Sequence, residues 1–452
     1  MKLQFLGATD TVTGSKYLLR CGAHNLLVDC GLFQGYKPLR LRNWNKLPVR
    51  PADIHAVVLT HAHIDHSGYL PLLARQGFQG KVFCTPATAD LCRILLPDSG
   101  HLQEEEAEYA GRHGFSKHAR PEPLYTKEDA LRCLKLLRPV AFGKAFEPVP
   151  GVQARLSPSG HMAGSSFVRL DDGTRSVLFS GDIGRPNDPV LKPPVAMDGA
   201  DYLVVESTYG DRLHPPADTL DALARVINRT AARGGVVVIP AFAVGRAQSL
   251  LHSIGQLRAR GLVADTPVYL NSPMAANALH IYEKYQSELR LSPDECEAMA
   301  MLPQIIDTPE QSRSLNTRKG PMIIIAASGM ATGGRVVHHL KAFAPHKRNT
   351  ILFAGYQAGG TRGATIAGGA TSVRIHGEEV PIRAEVAMLD SLSAHADAAE
   401  IVQWLKGFKA APRTTFITHG EPAAADAMRQ RIEHELGWAC QMPYYLETVA
   451  LK

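Results

Sequence analysis

The sequence predicts a mixed α/β fold, one α/β domain interrupted by a smaller α/β insertion, and three observations predict it. The N-terminal part carries short apolar runs broken by Gly, Asp and Asn, as antiparallel hairpins are. After Tyr209 three strand–loop–helix units follow one another, the pattern of a parallel, helix-covered sheet. Near the C-terminus, strand-plus-loop units resume.

The elements follow in chain order. "KLQFLG", "KYLLR" and "NLLVDCG" read as hairpin strands, and from Pro86 to Phe142 the pattern turns helical, with charge spread over "LQEEEAEYAGRHG" and "KEDALRCLKLL". Strands resume at "VQARLS" and "SVLFSGD", and a Pro-rich stretch leads into "YLVVEST". "GGVVVIPAFAVGRAQSLLHSIGQL", "PVYLNSPMAANALHIYEKY" and "MIIIAASGMATGGRVVHHLKAF" are the βα units. The Gly-rich "GYQAGGTRGATIAGG" reads as a flexible return linker, and "VAMLDSLSAHAD" and "TTFITHGEP" follow before a final helix. These breaks divide the chain into 1–208, an insertion 209–365, and 366–452.

Composition excludes several classes. A chain of 452 residues with 45% apolar and 20% charged content is an ordinary globular one, with no apolar run of membrane-spanning length and no signal-peptide pattern in "MKLQFLGATD". The seven cysteines are odd in number and lack CxxC spacing, which suits reduced thiols in a cytoplasm. A net charge of +6 permits a nucleic-acid partner without requiring one.

The chemistry concentrates in "VVLTHAHIDHSG". Four apolar residues open into His61, His63, Asp65 and His66. With histidine at roughly 0.04 of residues, HxHxxH arises by chance about 0.03 times in such a chain. Other polar residues stand at or just past apolar strand runs: Asp29, His161, Asp182, Glu206, His395 and His419. Strand ends of layered α/β folds gather along one edge, where ligand sites form. Imidazoles and carboxylates suit borderline cations, here two zinc ions with manganese as the alternative. His61, His63 and His161 make one site, Asp65, His66 and His419 a second, and Asp182 bridges them, so that a shared water is acidified. His338 and His339, His101, His113 and His118, and the "EEEAE" run at Glu104 read as packed or solvated residues. Ser328, in the Gly-rich "SGMATGG", is a candidate phosphate contact, as is Arg246 after "PAFAVG".

At this point the motifs resemble a known family. "THAHIDHSG" with Asp29, His161 and Asp182 resembles the metallo-β-lactamase signature with its outlying ligands. "VVEST", "SAHAD" and "THGE" resemble the three further motifs of the β-CASP nucleases, and "PAFAVGRAQ", "ASGMATGGR" and "GYQAGGTRG" resemble their inserted domain. The resemblance implies an αββα metallo-β-lactamase sandwich with an inserted α/β β-CASP domain. It also implies that Asp29 orients metal ligands, that Asp65 and Asp182 help deprotonate the attacking water, and that His395 protonates the leaving oxygen. Glu206 would hold that histidine, and Ser393 joins Ser328 and Arg246 as a substrate contact. A histidine at 419 resembles the RNA-processing branch, in a compact bacterial form without KH modules or an extra C-terminal domain.

The expected activity is zinc-dependent hydrolysis of single-stranded RNA in the cleft between the domains. Cleavage within the chain or from one end stays open, as does a homodimer, and no membrane is involved. Two other readings compete: a hydrolase of small esters or thioesters on the same metal fold, and a non-catalytic RNA-binding partner. The first has no need of Glu206 and His395; the second would have lost ligands, and none is missing.

Overall fold

The computed structural model describes residues 1–114, 118, 120–215 and 219–452. They form two compact units: Met1–Pro186, Pro193–Leu213 and His395–Lys452 make the first, and Asn187–Lys192 with His214–Ala394 the second.

In the first unit two seven-stranded sheets carry the described strands. One begins as an antiparallel meander of Lys2–Phe5, Tyr17–Cys21 and His24–Val28, closed at its edge by Thr448–Ala450, and continues in parallel through Ala56–Val58, Lys81–Cys84 and Leu137–Pro139. The other runs from the Val152–Pro158 hairpin through Ser166–Asp171 and Ser176–Phe179. It then pairs Tyr202–Glu206 and Thr414–Thr418 in parallel. Leu3, Phe5, Leu19 and Val58 of the first sheet meet Leu156, Val168, Phe179 and Phe416 of the second in one buried core. The opposite face of the second sheet is covered by helices Ala398–Leu405 and Pro422–Leu436, whose Ile401, Trp404, Met428 and Ile432 pack on Phe167, Leu178 and Leu203. Alternation explains the layering: Leu203 and Val205 face the helices, whereas Tyr202 and Val204 face the other sheet. This is the αββα sandwich.

The second unit holds a six-stranded parallel sheet, ordered Gln304–Ile305, Val268–Asn271, Met322–Ala326, Val236–Pro240, Thr350–Phe353, Glu385–Met388. Its central strands are buried throughout, as a sheet covered on both faces demands. The Gly-rich segment read as a linker is a built part of this unit. Thr361 caps helix Arg362–Ala367 through the Ala364 amide, and Ile366 is buried in the core. Glycine content suggested freedom; the cap and one apolar anchor remove it.

No helix among the described residues is long and apolar enough to cross a membrane.

Candidate metal centre

Strand Ala56–Val58 ends two residues short of His61, and the chain then passes into the short helix Ile64–Ser67. Gly31 makes room for that helix: a Cβ there would stand 1.5 Å from the Asp65 carbonyl oxygen. Three backbone bonds clamp the two loops together, Ser15 N to Asp65 O, Cys30 N to His66 O and Leu32 N to Ile64 O. Asp29 and His419 hold positive φ, 56° and 49°, a strained conformation for residues with side chains.

Two sets of ligand-type atoms converge. In the first, His61 Nε2 lies 3.1 Å and His161 Nε2 3.2 Å from His63 Nδ1, and Asp182 Oδ2 lies 3.4 Å from both Nε2 atoms. In the second, His66 Nε2 and His419 Nε2 are 3.1 Å apart, with Asp65 Oδ2 3.8 Å and 3.4 Å from them. Asp182 Oδ1 faces this second set, 3.2 Å from His66 Nε2 and 3.6 Å from His419 Nε2, yet among the described residues no hydrogen-bond donor is aligned with it. One carboxylate thus offers one oxygen to each set.

These residues fit metal ions. His66 Nδ1 donates to Asp29 Oδ2 at 2.8 Å, and His419 Nδ1 bonds Thr208 Oγ1 at 3.0 Å, so with both rings neutral the Nε2 lone pairs face each other across 3.1 Å. That contact is favourable only with a proton or a metal cation between the two nitrogens. The field agrees. Burial, with His66 nearby, pushes His61 down to about 3, and burial with His395 holds His161 well below the usual range, so both are neutral imidazoles, the form that can ligate a metal. At His66, burial is outweighed by Asp182, Asp29 and Asp65, and its pKa stands well above the ordinary value: this point demands positive charge. Burial opposes ionisation of Asp182, but His419 and His66 overcome it and hold the carboxylate ionised.

Asp29 lies beneath this centre, fully buried, accepting from Thr60 N at 2.7 Å, Thr60 Oγ1 at 2.8 Å and His66 Nδ1. Glu206, at the end of Tyr202–Glu206, takes His395 Nδ1 at 3.0 Å on Oε2 and the Ile183 amide on Oε1. An antiparallel bridge between His395 and Gly184 fixes the backbone there, and His395 Nε2 lies 4.0 Å from Asp182 Oδ2. Burial disfavours the His395 cation, but Glu206 and Asp182 outweigh it and raise its pKa above the ordinary value.

Thr208 escaped the sequence reading. Its hydroxyl donates to Glu206 Oε2 at 2.6 Å and accepts from His419 Nδ1 at 3.0 Å. A single hydroxyl therefore ties the His419 imidazole to the carboxylate that holds His395. The available signal was proximity alone: Thr208 stands two residues past Glu206, in the turn that follows strand Tyr202–Glu206. Thr60, which binds Asp29, was likewise hidden in the apolar run before His61.

Ser393, Arg246 and Ser328 belong to the second unit. Arg246 is buried at the start of helix Arg246–Ala259, and its guanidinium and Ser393 both border Gly355. Ser328 Oγ accepts from Thr332 N at 3.1 Å. His339, read as a packed histidine, is buried between Asn271 and Asn316.

Residues 10–232 match the metallo-beta-lactamase superfamily, 247–366 the Beta-Casp domain, and 379–443 the Zn-dependent metallo-hydrolase RNA specificity domain. The chain is 36% identical over 431 residues to ribonuclease TTHA0252 of Thermus thermophilus, covering 93% of each protein. It is 30% identical over 474 residues to transcription termination factor FttA of Methanocaldococcus jannaschii, covering 100% of this chain and 72% of that one. A crystal structure of a protein of unknown function from Enterococcus faecalis V583 shares the fold, with a TM-score of 0.53 at 12% identity over 100% of this chain and 99% of that one. With sandwich, insertion, convergent histidines and relatives in agreement, the chain belongs to the β-CASP ribonuclease family of the metal-dependent metallo-β-lactamase superfamily.

Proposed function

We propose that the protein is a zinc-dependent ribonuclease that hydrolyses phosphodiester bonds of single-stranded RNA, with water as nucleophile and His395 as general acid. The observation that carries this reading is Asp182, whose two oxygens each face one set of imidazoles. His61, His63, His161 and Asp182 would hold one ion, and Asp65, His66, His419 and Asp182 the other; manganese can replace zinc in such a donor set. When bound, paired ions acidify a shared water and neutralise phosphate charge.

The chain's own groups supply the rest. Asp65 and Asp182 are the carboxylates within these two ligand sets and would help take the proton from such a water. His395 gives its Nδ1 proton to Glu206 in a hydrogen bond, which leaves the Nε2 proton of the imidazolium for the leaving oxygen. Burial disfavours the imidazolium, but Glu206 and Asp182 outweigh it and shift His395 toward the charged form. Asp29 and Thr208 fix the tautomers of His66 and His419, so that Nε2 of each faces inward.

A hydrolase of small esters on this fold has no use for the His395–Glu206 pair, which serves a poor alkoxide leaving group. A non-catalytic partner has no use for a complete ligand set. Relatives named for ribonuclease activity and transcription termination support RNA as substrate. The test is incubation of metal-loaded protein with 5′-labelled single-stranded RNA and length-resolved products. Internal fragments indicate endonucleolytic cleavage and mononucleotides cleavage from an end; intact RNA contradicts the proposal.

A further inference from the structure

Beyond Gly31 the chain of the first unit builds a surface that the metal centre does not use. Helix Lys37–Arg42 buries none of its side chains. Tyr36 and Trp44 flank it in sequence, each 56% exposed, and Leu41 within it is 53% exposed. The loop before the last strand adds Tyr444, 74% exposed, and Leu446. Two contacts join helix and loop into one face. The Phe33 and Tyr445 rings meet edge-on with centroids 6.1 Å apart, and the Arg42 guanidinium lies 4.3 Å from the Tyr445 ring and 5.5 Å from that of Phe33.

Charge on this segment is one-sided. From Gly31 to Ala52 there are five cations, Lys37, Arg40, Arg42, Lys46 and Arg50, and no acidic residue. Asp53 pairs with Arg50, Glu106 acts on Arg40, and Glu447 is occupied by the Tyr444 amide and the Gln441 side chain, each at 2.7 Å, which leaves Lys37, Arg42 and Lys46 as the cations beside the rings. An exposed apolar patch of this kind marks an interaction site. A second copy docking through the same face would set cation against cation, because a two-fold contact is self-complementary. Open aromatic faces interleaved with cations instead suit flat bases on a phosphate backbone.

We propose that this face binds single-stranded RNA outside the metal centre, with bases stacked on Tyr36, Trp44 and Tyr444 and phosphates near Lys37, Arg42 and Lys46. The inference rests on the RNA reading of the preceding subsection and adds a place where substrate is gripped on the same unit as the centre. Gly31 and Leu32, which begin the segment, are hydrogen-bonded to Ser15 and Ile64 beside the ligand loop.

The experiment uses the full chain with His63→Ala, so that RNA stays intact, and an oligoadenylate of about 20 nucleotides, long enough for several stacked bases. Binding should quench Trp44 emission. Trp44→Ala with Tyr444→Ala should weaken affinity on the order of 10²-fold, roughly tenfold for each stacked base, whereas Trp44→Phe keeps most of it. Lys37→Gln and Lys46→Gln should each lower the slope of log affinity against log salt by about 0.7. Circular dichroism and melting temperature check that each variant is folded. A folded Trp44→Ala/Tyr444→Ala variant that binds as tightly as its parent overturns the inference. So does one whose sedimentation changes from dimer to monomer, which would make the face a contact between copies. If wild-type protein cuts RNA while these variants bind normally, only this inference fails; if it neither binds nor cuts RNA, the proposed function fails as well.

Discussion

Replacing Thr208 by Val keeps the branched shape and removes one hydroxyl. The loss is two hydrogen bonds in a fully packed place: the 2.6 Å bond to Glu206 Oε2 and the 3.0 Å bond from His419 Nδ1. The His419 Nδ1–H is then left without this acceptor in a buried place, Thr208 and His419 each being 3% exposed, and the longer 3.3 Å contact of Thr208 Oγ1 to the His419 carbonyl is lost as well. Leaving a buried donor unmet costs about 1–3 kcal/mol, and hydrogen bonds to charged groups contribute about 1.5–3 kcal/mol. At about 1.4 kcal/mol per factor of ten, the His419 side should lose roughly 10- to 100-fold in metal affinity, the range for partners that orient metal ligands. Turnover should fall too, since Glu206 loses one of the donors that aim it at His395. Chelator competition reads the first effect and RNA turnover at saturating metal the second. Thr208→Ser should restore both, because it returns the hydroxyl. A Val variant with wild-type metal affinity, or a Ser variant as poor as Val, refutes the reasoning.

Further predictions concern other groups. His395→Ala should retain metal and lose RNA turnover by about 10²–10⁴, while a nitrophenyl phosphodiester, which needs little protonation, suffers far less; equal losses on both substrates would remove His395 as the acid. Asp182→Asn should lower metal content, because both ligand sets share that carboxylate; unchanged content by mass spectrometry contradicts the bridging assignment. Lys16 is buried against Phe33 and Tyr69, and burial lowers its pKa to about 8. Between about pH 8 and 10.4 the unfolded chain holds this proton and the folded chain releases it, so the Lys16 contribution to stability rises with pH across that window. The stability difference between Lys16→Met and wild type should therefore shift by about 3 kcal/mol in favour of wild type from pH 7 to pH 10.5; urea titrations giving a constant difference would show that Lys16 titrates normally.

Much of the centre was legible because its residues carry chemistry that a core strand has no use for. The HxHxDH run is local, and Asp29, His161, Asp182, Glu206, His395 and His419 stand where strands end, so their convergence follows from the layered fold. Thr208 and Thr60 were invisible for the opposite reason: a threonine near a strand end is common, and its partner lies far off in sequence, His419 for one and Asp29 for the other. The Gly-rich stretch misled because glycine marks turns as readily as linkers, and only the Thr361 cap distinguishes them. Strand Glu385–Met388 was legible as a strand, but its partner Thr350–Phe353 was not, since a short apolar run does not say which sheet it joins.

The most direct test of the account is zinc add-back to chelator-stripped protein, with cleavage of 5′-labelled single-stranded RNA followed at each step. The account predicts no product from the stripped protein and a rate that saturates at about two ions per chain. Cleavage without metal, full activity at a single ion, or no cleavage at any zinc level would contradict it.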